Sequence, residues 1–345
     1  MTKSKAINQI LKFRLESIFF IVICIFYFSR YIFAGDGYLA FFDDDFFYYL
    51  ETAFNFSQTG ISTFDNIHIT NGYHPLWFII LSVITFIFGK STATFYTISI
   101  VQVLTTYITY KQTAKLFQKI LPSTSSNINN YLSIITTIIF MLIFKGGMEI
   151  ILTVPLLLLL INISLEDKIN SYEFGLISLL AILSRLDSVC FIITYAIFLI
   201  SSKRINVFKL SISLIPFLLY ILSNILIFDT IMPISGMAKQ LRSEIYFETN
   251  VIRSFFDFTL NRVFYGTIPG LLIILNVVFV IINYKKIEIK LRHLFISVLL
   301  FQIFLILYSS FFSGWPALPG PGDRGRHPRP RRDGDRHPQS RTRLL

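Results

Sequence analysis

The stretch LESIFFIVICIFYFSRYIF, residues 15–33, decides the class of fold of this chain. Its length is close to the roughly 20 apolar residues that a helix needs to cross a hydrocarbon core about 30 Å thick. Lipid offers no partners to backbone amides, so a run of this kind must be helical. Lys3, Lys5, Lys12 and Arg14 precede it, which places the N-terminus on the cytoplasmic side. The run is too long for a signal peptide and no small-residue cleavage site follows it, so we expect a retained anchor.

The rest of the chain extends this pattern. Of its 345 residues, 54% are hydrophobic and 15% are charged, whereas about 25% are charged in a typical soluble domain. The short alternating segments of a membrane β-barrel do not occur. We therefore predict an all-α, polytopic transmembrane helical bundle of about nine spans. The other eight are expected at about 93–110, 131–144, 150–165, 174–184, 189–200, 210–228, 268–282 and 294–312. Both cysteines, Cys24 and Cys190, lie inside apolar runs and are interpreted as packing residues.

The basic residues determine the predicted topology. With these spans, the lysines and arginines near the N-terminus and at 111–119, 203–209 and 285–292 all lie on the cytoplasmic side. The net charge of +11 is therefore a topology signal, and no nucleic-acid partner is expected. Residues 75–89 are apolar but short, and as a full span they would move 111–119 outside. We interpret them as an interfacial helix within a long first outer loop. The predicted location is the inner (cell) membrane of a bacterium.

Residues 315–345 differ from the body of the chain. From residue 316 they contain eight arginines and three aspartates and lack Ile, Phe, Tyr, Asn and Lys. The body favours residues with AT-rich codons, and this stretch favours residues with GC-rich codons. We expect residues 1–314 to form the membrane region, and 315–345 to be a non-native or disordered tail. The native chain is then expected to continue after Trp315.

The first outer loop carries the strongest chemical signal. Three adjacent aspartates, Asp43, Asp44 and Asp45, stand before an aromatic run at the membrane surface. Such carboxylates repel one another and the lipid phosphates unless they bind a cation or accept a proton. Either Asp44 or Asp45 is a candidate general base for an acceptor hydroxyl. An ordinary solvated loop is the alternative.

Further polar residues of the same loop are candidates for substrate binding, together with Asp43. The candidates are Tyr48, Asn71, Tyr73 and His74. His74 precedes Pro75, a residue suited to the first turn of a helix, so its ring is expected to point toward the loop.

Charged residues at the other predicted outer turns complete the set. Glu149 lies on the second turn, and Arg185 and Asp187 lie on the third. Lys239 lies on the long fourth loop, where a cation can hold a lipid phosphate. We expect these turns to converge in an outward-facing polar cleft. The alternative is that these charges only extend toward the interface.

The loop resembles the first outer loop of bacterial GT-C membrane glycosyltransferases of the dolichyl-phosphate-mannose-protein mannosyltransferase-like kind (family 39-like). The similar elements are the acidic pair with its aromatic run, Thr63-Phe64-Asp65, and TNGYHPLW at 70–77. Weaker similarity follows in order at GGME (146–149), SRLDS (184–188) and MPISGMAK (232–239). Members of that family usually have further spans after the ninth.

The resemblance implies transfer of a sugar from a polyprenyl-phosphate donor to a glycan, lipid or protein acceptor on the extracytoplasmic face. Asp44 or Asp45 would be the base, Glu149 would assist, His74 would line the site, and the donor phosphate would contact Arg185 or Lys239. Some relatives need a divalent metal and others do not, so Mg²⁺ or Mn²⁺ is possible but no cofactor is certain. The main alternative is a transporter or flippase of cell-envelope polysaccharide precursors, which would need charged residues within spans or broken helices. A second is a non-catalytic membrane scaffold or polysaccharide-assembly partner.

Overall fold

The computed structural model describes residues 3–144, 146–231, 233, 234, 278 and 288–312. These residues form eleven α-helices and no β-strand, with one isolated bridge between Thr63 and Ile69. The helices are α1 (Lys3–Phe33), α2 (Asp44–Thr59), α3 (Pro75–Phe88), α4 (Thr92–Ile120), α5 (Ser126–Ile143), α6 (Ile150–Ser164), α7 (Ser171–Ser184), α8 (Ser188–Ser201), α9 (Val207–Ser213), α10 (Ile215–Phe228) and α11 (Ile289–Phe312). A 3-10 helix, Gly35–Phe41, joins α1 to α2. The all-helical prediction is confirmed for the described residues.

Two described helices are long and apolar enough to cross a membrane, Phe13–Phe33 and Ser126–Ile143. A third is obtained if α9 and α10 form one span bent by 45°. We predicted a single continuous helix at 210–228. The structure instead divides it at Leu214, and Pro216, which lacks a backbone N–H, follows this break. The count of about nine spans stays a prediction, and the predicted eighth span lies almost entirely outside the described residues.

The exposed and buried faces of the helices have the polarity expected in lipid. Helix α5 buries Asn129, Asn130, Ser133 and Thr137 against its neighbours and exposes isoleucines and leucines on its other face. Helix α4 likewise buries threonines, serines and a glutamine. A water-soluble helix has the opposite arrangement. Small and polar residues between helices are typical of membrane bundles, where lipid is as apolar as leucine.

One end of the bundle is basic. Lys115 and Arg204 both contact Glu166, whose side chain and backbone carbonyl lie in the α6–α7 loop. Lys290, at the start of α11, pairs with Asp167 in the same loop at 2.6 Å. The α6–α7 loop therefore contacts one basic residue from each of three predicted cytoplasmic clusters, those at 111–119, 203–209 and 285–292. We call this end the basic end.

The other end of the bundle brings together the turns α1–α2, α5–α6 and α7–α8 and the start of α3. Helix α3 packs along α2, and Lys90, which follows α3, pairs with Glu51 of α2 at 2.8 Å. The first three predicted outer turns thus share one end, opposite the basic end.

Candidate functional site

The turn before α6 brings the polypeptide close to the start of α2. Gly147 has φ of 72°, a conformation that side chains disfavour, and the ring of Phe42 lies 2.7 Å from where its Cβ would stand. Gly146 has even less room, because a Cβ there would lie 1.8 Å from Asp43 Oδ2. The backbone N–H of Asp43 donates to the carbonyl of Gly146 at 3.2 Å. The two glycines therefore let the acidic start of α2 lie directly against this turn.

Glu149, two residues after Gly147, is the centre of the site. Its side chain is 3% exposed, and Oε1 accepts a hydrogen bond from Arg185 Nη1 at 2.9 Å. Arg185 also donates through Nε to both carboxylate oxygens of Asp187, at 3.0 and 3.1 Å. His74 Nε2 lies 3.6 Å from the same Oε1 of Glu149. We call these four residues the Glu149 cluster.

The protonation of the cluster follows from its contacts. The N–H of Leu186 donates to His74 Nδ1 at 3.2 Å, so the neutral ring carries its proton on Nε2, which faces Glu149. Burial raises the pKa of Glu149, with Arg185 opposing that shift and Asp187 and Asp45 adding to it. Glu149 Oε2 is buried and has no hydrogen-bond partner among the described residues. The cluster therefore contains a carboxylate oxygen that a proton or a substrate donor can satisfy.

Of the three aspartates, Asp45 has an electrostatic influence on the cluster. Its negative charge contributes to the raised pKa of Glu149 and also to that of Tyr49, one helical turn further along α2. The main cause of the raised Tyr49 pKa is burial. Asp43 lies against Gly146. All three aspartates are exposed.

Tyr49 was not among the residues predicted from sequence. Its hydroxyl accepts the backbone N–H of His74 at 3.1 Å and so joins α2 to the start of α3. The spacing of Asp45 and Tyr49 in the sequence could have indicated it, because residues four apart on a helix share a face. Thr153 and Ser184 were also missed. Their hydroxyls bond to each other at 3.0 Å and link α6 to α7 directly behind Glu149.

Three predicted substrate-binding residues lie outside the Glu149 cluster: Asn71 and Tyr73 are in the loop before α3, and Tyr48 is on α2 against that loop. Tyr48 bonds to Thr70 Oγ1 at 2.6 Å. Tyr73 stacks on Phe78 at 3.8 Å between ring centroids, and burial raises its pKa to about 12. Asn71 is 1% exposed.

The contacts of Asn71 explain its burial. It donates to Asn224 Oδ1 of α10 at 3.3 Å and accepts the N–H of Ile234 at 2.8 Å. Asn71 therefore ties this loop to α10 and to the segment after it. Lys239 lies outside the described residues.

The described residues contain no group of three or more histidine, cysteine, aspartate or glutamate side chains arranged to hold a metal ion. No protein-family model matches the chain, and no curated protein or solved structure matches it either.

Proposed function

We propose that this chain is a membrane glycosyltransferase that moves a sugar from a polyprenyl-phosphate donor to an acceptor at the outer face of the membrane. The observation that carries the proposal is the contact between the acidic start of α2 and the turn of Glu149, beside His74 and Arg185. The GT-C resemblance is centred on the same elements. They come from three separate turns and meet at one end of the bundle.

We further propose about nine spans, with the N-terminus cytoplasmic and the Glu149 cluster outside. The meeting of Lys115, Arg204 and Lys290 at the α6–α7 loop supports this topology, since cytoplasmic loops are rich in lysine and arginine. Helix α3 is then an interfacial helix. It has 14 residues, so its length of about 21 Å falls short of a hydrocarbon core of about 30 Å.

In the proposed mechanism Asp45 is the general base. It takes the proton of an acceptor hydroxyl, the acceptor oxygen attacks the anomeric carbon, and the bond from that carbon to the phosphate oxygen breaks. The polyprenyl phosphate leaves with the bonding electron pair. Arg185 is the cation of the cluster, and its side chain is 38% exposed, so its guanidinium can bind the phosphate. Family analogy gives inversion at the anomeric carbon.

Glu149 and His74 are assigned supporting roles. Glu149 fixes the guanidinium of Arg185, and its Oε2 forms a hydrogen bond with the sugar or the acceptor. His74, held by Leu186 and Tyr49, closes the side of the cluster that faces α3.

The test compares Asp45→Asn with Asp44→Asn, its neighbour of the same chemistry. Membranes carrying each variant receive polyprenyl-phosphate mannose or polyprenyl-phosphate glucose labelled in the sugar, and transfer to endogenous acceptors is measured. We expect Asp45→Asn to lower the rate by at least about 100-fold, as for loss of a general base, and Asp44→Asn to stay within about tenfold. Equal transfer rates in the wild type and Asp45→Asn would show that Asp45 is not the general base. Absence of transfer from either donor by the wild type would contradict the proposed donors.

A second candidate function is a lipid-precursor flippase. Two observations favour it, the bent α9–α10 pair and the buried Arg30 inside the span Phe13–Phe33. In vesicles the same labelled donor would then cross the bilayer with its sugar still attached. Release of free polyprenyl phosphate distinguishes the transferase from the flippase.

A further inference from the structure

The most unusual charge in the described part of the chain is Arg30, in the last turn of α1. It is 5% exposed, and no carboxylate of the described residues lies within salt-bridge distance of it. Its Nε donates to the carbonyl of Tyr27 at 2.7 Å, and its Nη2 donates to Gln102 Oε1 of α4 at 2.8 Å. A buried cation with no anionic partner is costly, and inside a membrane span such a residue usually has a function.

Aromatic rings surround the guanidinium. Its central carbon lies 5.3 Å from the ring centroid of Tyr27, 5.7 Å from that of Tyr31 and 4.9 Å from that of Phe42. Tyr27 and Tyr31 belong to α1 itself, but Phe42 belongs to the acidic turn before α2. The shortest of the three contacts is therefore the one with Phe42, the residue outside α1.

Phe42 also contacts residues of the candidate site. Its ring stacks on Phe46 at 4.6 Å, and both rings lie against Gly147. The residue after Phe42 is Asp43, which is bonded to Gly146. A continuous set of contacts thus leads from Gln102 through Arg30 and Phe42 to the turn that carries Glu149.

We propose that Arg30 is a positioning residue for the candidate site, acting through the face of Phe42 to hold the start of α2 against the Gly146–Gly147 turn. The inference concerns the catalytic geometry of the proposed function, but the contact itself does not depend on that function. Desolvated cation–π contacts are stronger than exposed ones, so a buried arginine is suited to this task. Its burial is then explained by the position that it gives to Phe42.

The test uses Arg30→Met, which keeps the length of the side chain and removes its charge. Hydrogen–deuterium exchange of the full chain in nanodiscs is followed at residues 40–47, which include the Asp43 N–H bonded to Gly146. We expect exchange there to become about tenfold faster, as for loss of one desolvated cation–π contact. Thermal stability should be unchanged or higher, because an unpaired buried charge is removed. Arg30→Lys keeps the cation and should stay within about threefold of the wild type.

The matched control is Thr106→Val. It removes the 3.0 Å bond between Thr106 and Tyr27 in the same α1–α4 interface but does not touch Phe42. We expect no change at residues 40–47 in this variant. Equal acceleration in Thr106→Val and Arg30→Met would show that any weakening of the interface is sufficient, and unchanged exchange in Arg30→Met would show that Phe42 is held without the cation. Either result overturns the proposal.

Exchange is measured without a substrate, so this result stands apart from the proposed function. In the transfer assay, Arg30→Met should lower kcat more than it raises KM for the donor, since Arg30 does not contact the Glu149 cluster. If Arg30→Met exchanges faster at residues 40–47 but the wild type shows no transferase activity, Arg30 is a positioning residue and the proposed glycosyltransferase function is wrong.

Discussion

Gly146→Ala should separate α2 from the Glu149 turn, and the structure gives the size of the effect. The added Cβ would lie 1.8 Å from Asp43 Oδ2 and 2.2 Å from its Cγ. Carbon atoms touch at about 3.5 Å, so the two groups must move apart by roughly 1.3 Å. As long as the exposed Asp43 carboxyl does not swing aside, overpacking of this kind costs about 1–3 kcal/mol of folding free energy, and a displacement near 1 Å at a reacting group lowers rates by about 100-fold.

Two measurements check this expectation. Thermal unfolding in detergent should show a lower midpoint for Gly146→Ala, and transfer from the labelled polyprenyl-phosphate donor should fall by about 100-fold. Gly37→Ala is the matched control, because its Cβ would meet only Ala34 Cβ at an ordinary 3.8 Å. Asp43→Ala combined with Gly146→Ala removes the overlap and should return the midpoint to that of Asp43→Ala alone. A normal midpoint and a normal rate in Gly146→Ala would mean that the Asp43 carboxyl swings aside freely, which would refute the argument that this turn positions α2.

Two further predictions concern the Glu149 cluster. Burial raises the pKa of Glu149 above its ordinary value, so its protonated form contributes stability that is present at low pH and is lost as pH rises through the folded-state pKa. The unfolding midpoint of the wild type should therefore fall as pH rises above about 4.5, the ordinary glutamate value. Glu149→Gln should have a flatter profile, and identical slopes would exclude Glu149 as the group responsible. Arg185→Gln leaves Glu149 buried without its cation and should cost about 3 kcal/mol of stability. The double variant with Glu149→Gln should cost clearly less than the two single losses added, and simple additivity would show that the ion pair does not couple them.

The sequence predicted the helical class and the residues of the Glu149 cluster because both depend on local signals. Long apolar runs predict helices wherever they occur, and glutamate, arginine, aspartate and histidine at the ends of such runs are visible without a structure. The sequence also predicted that Glu149, Arg185 and His74 would lie together, because in the predicted topology every second turn returns to the same side.

The sequence did not indicate which side chains face the cluster. Tyr48 was selected and Tyr49 was not, although Tyr49 is the one that bonds to His74. Arg30 was read as part of an apolar run, because its partners Gln102 and Phe42 are remote in sequence. Its hydrogen bond to α4 depends on how α1 packs against that helix, and no local pattern encodes that packing.

The charges of the site set a physical condition on the proposed transfer reaction. The three aspartates at the start of α2 (Asp43–Asp45), Glu149 and Asp187 bring five carboxyl groups to one end of the bundle, where Arg185 is shared between Glu149 and Asp187. An anionic phosphate that approaches these groups is repelled unless Glu149 is protonated or another cation takes part. The raised pKa of Glu149 favours its protonated form. Lys239 or a divalent ion would be the other cation. In the first case the proposed mechanism assigns the protonated carboxyl to the buried Glu149 and the role of base to the exposed Asp45.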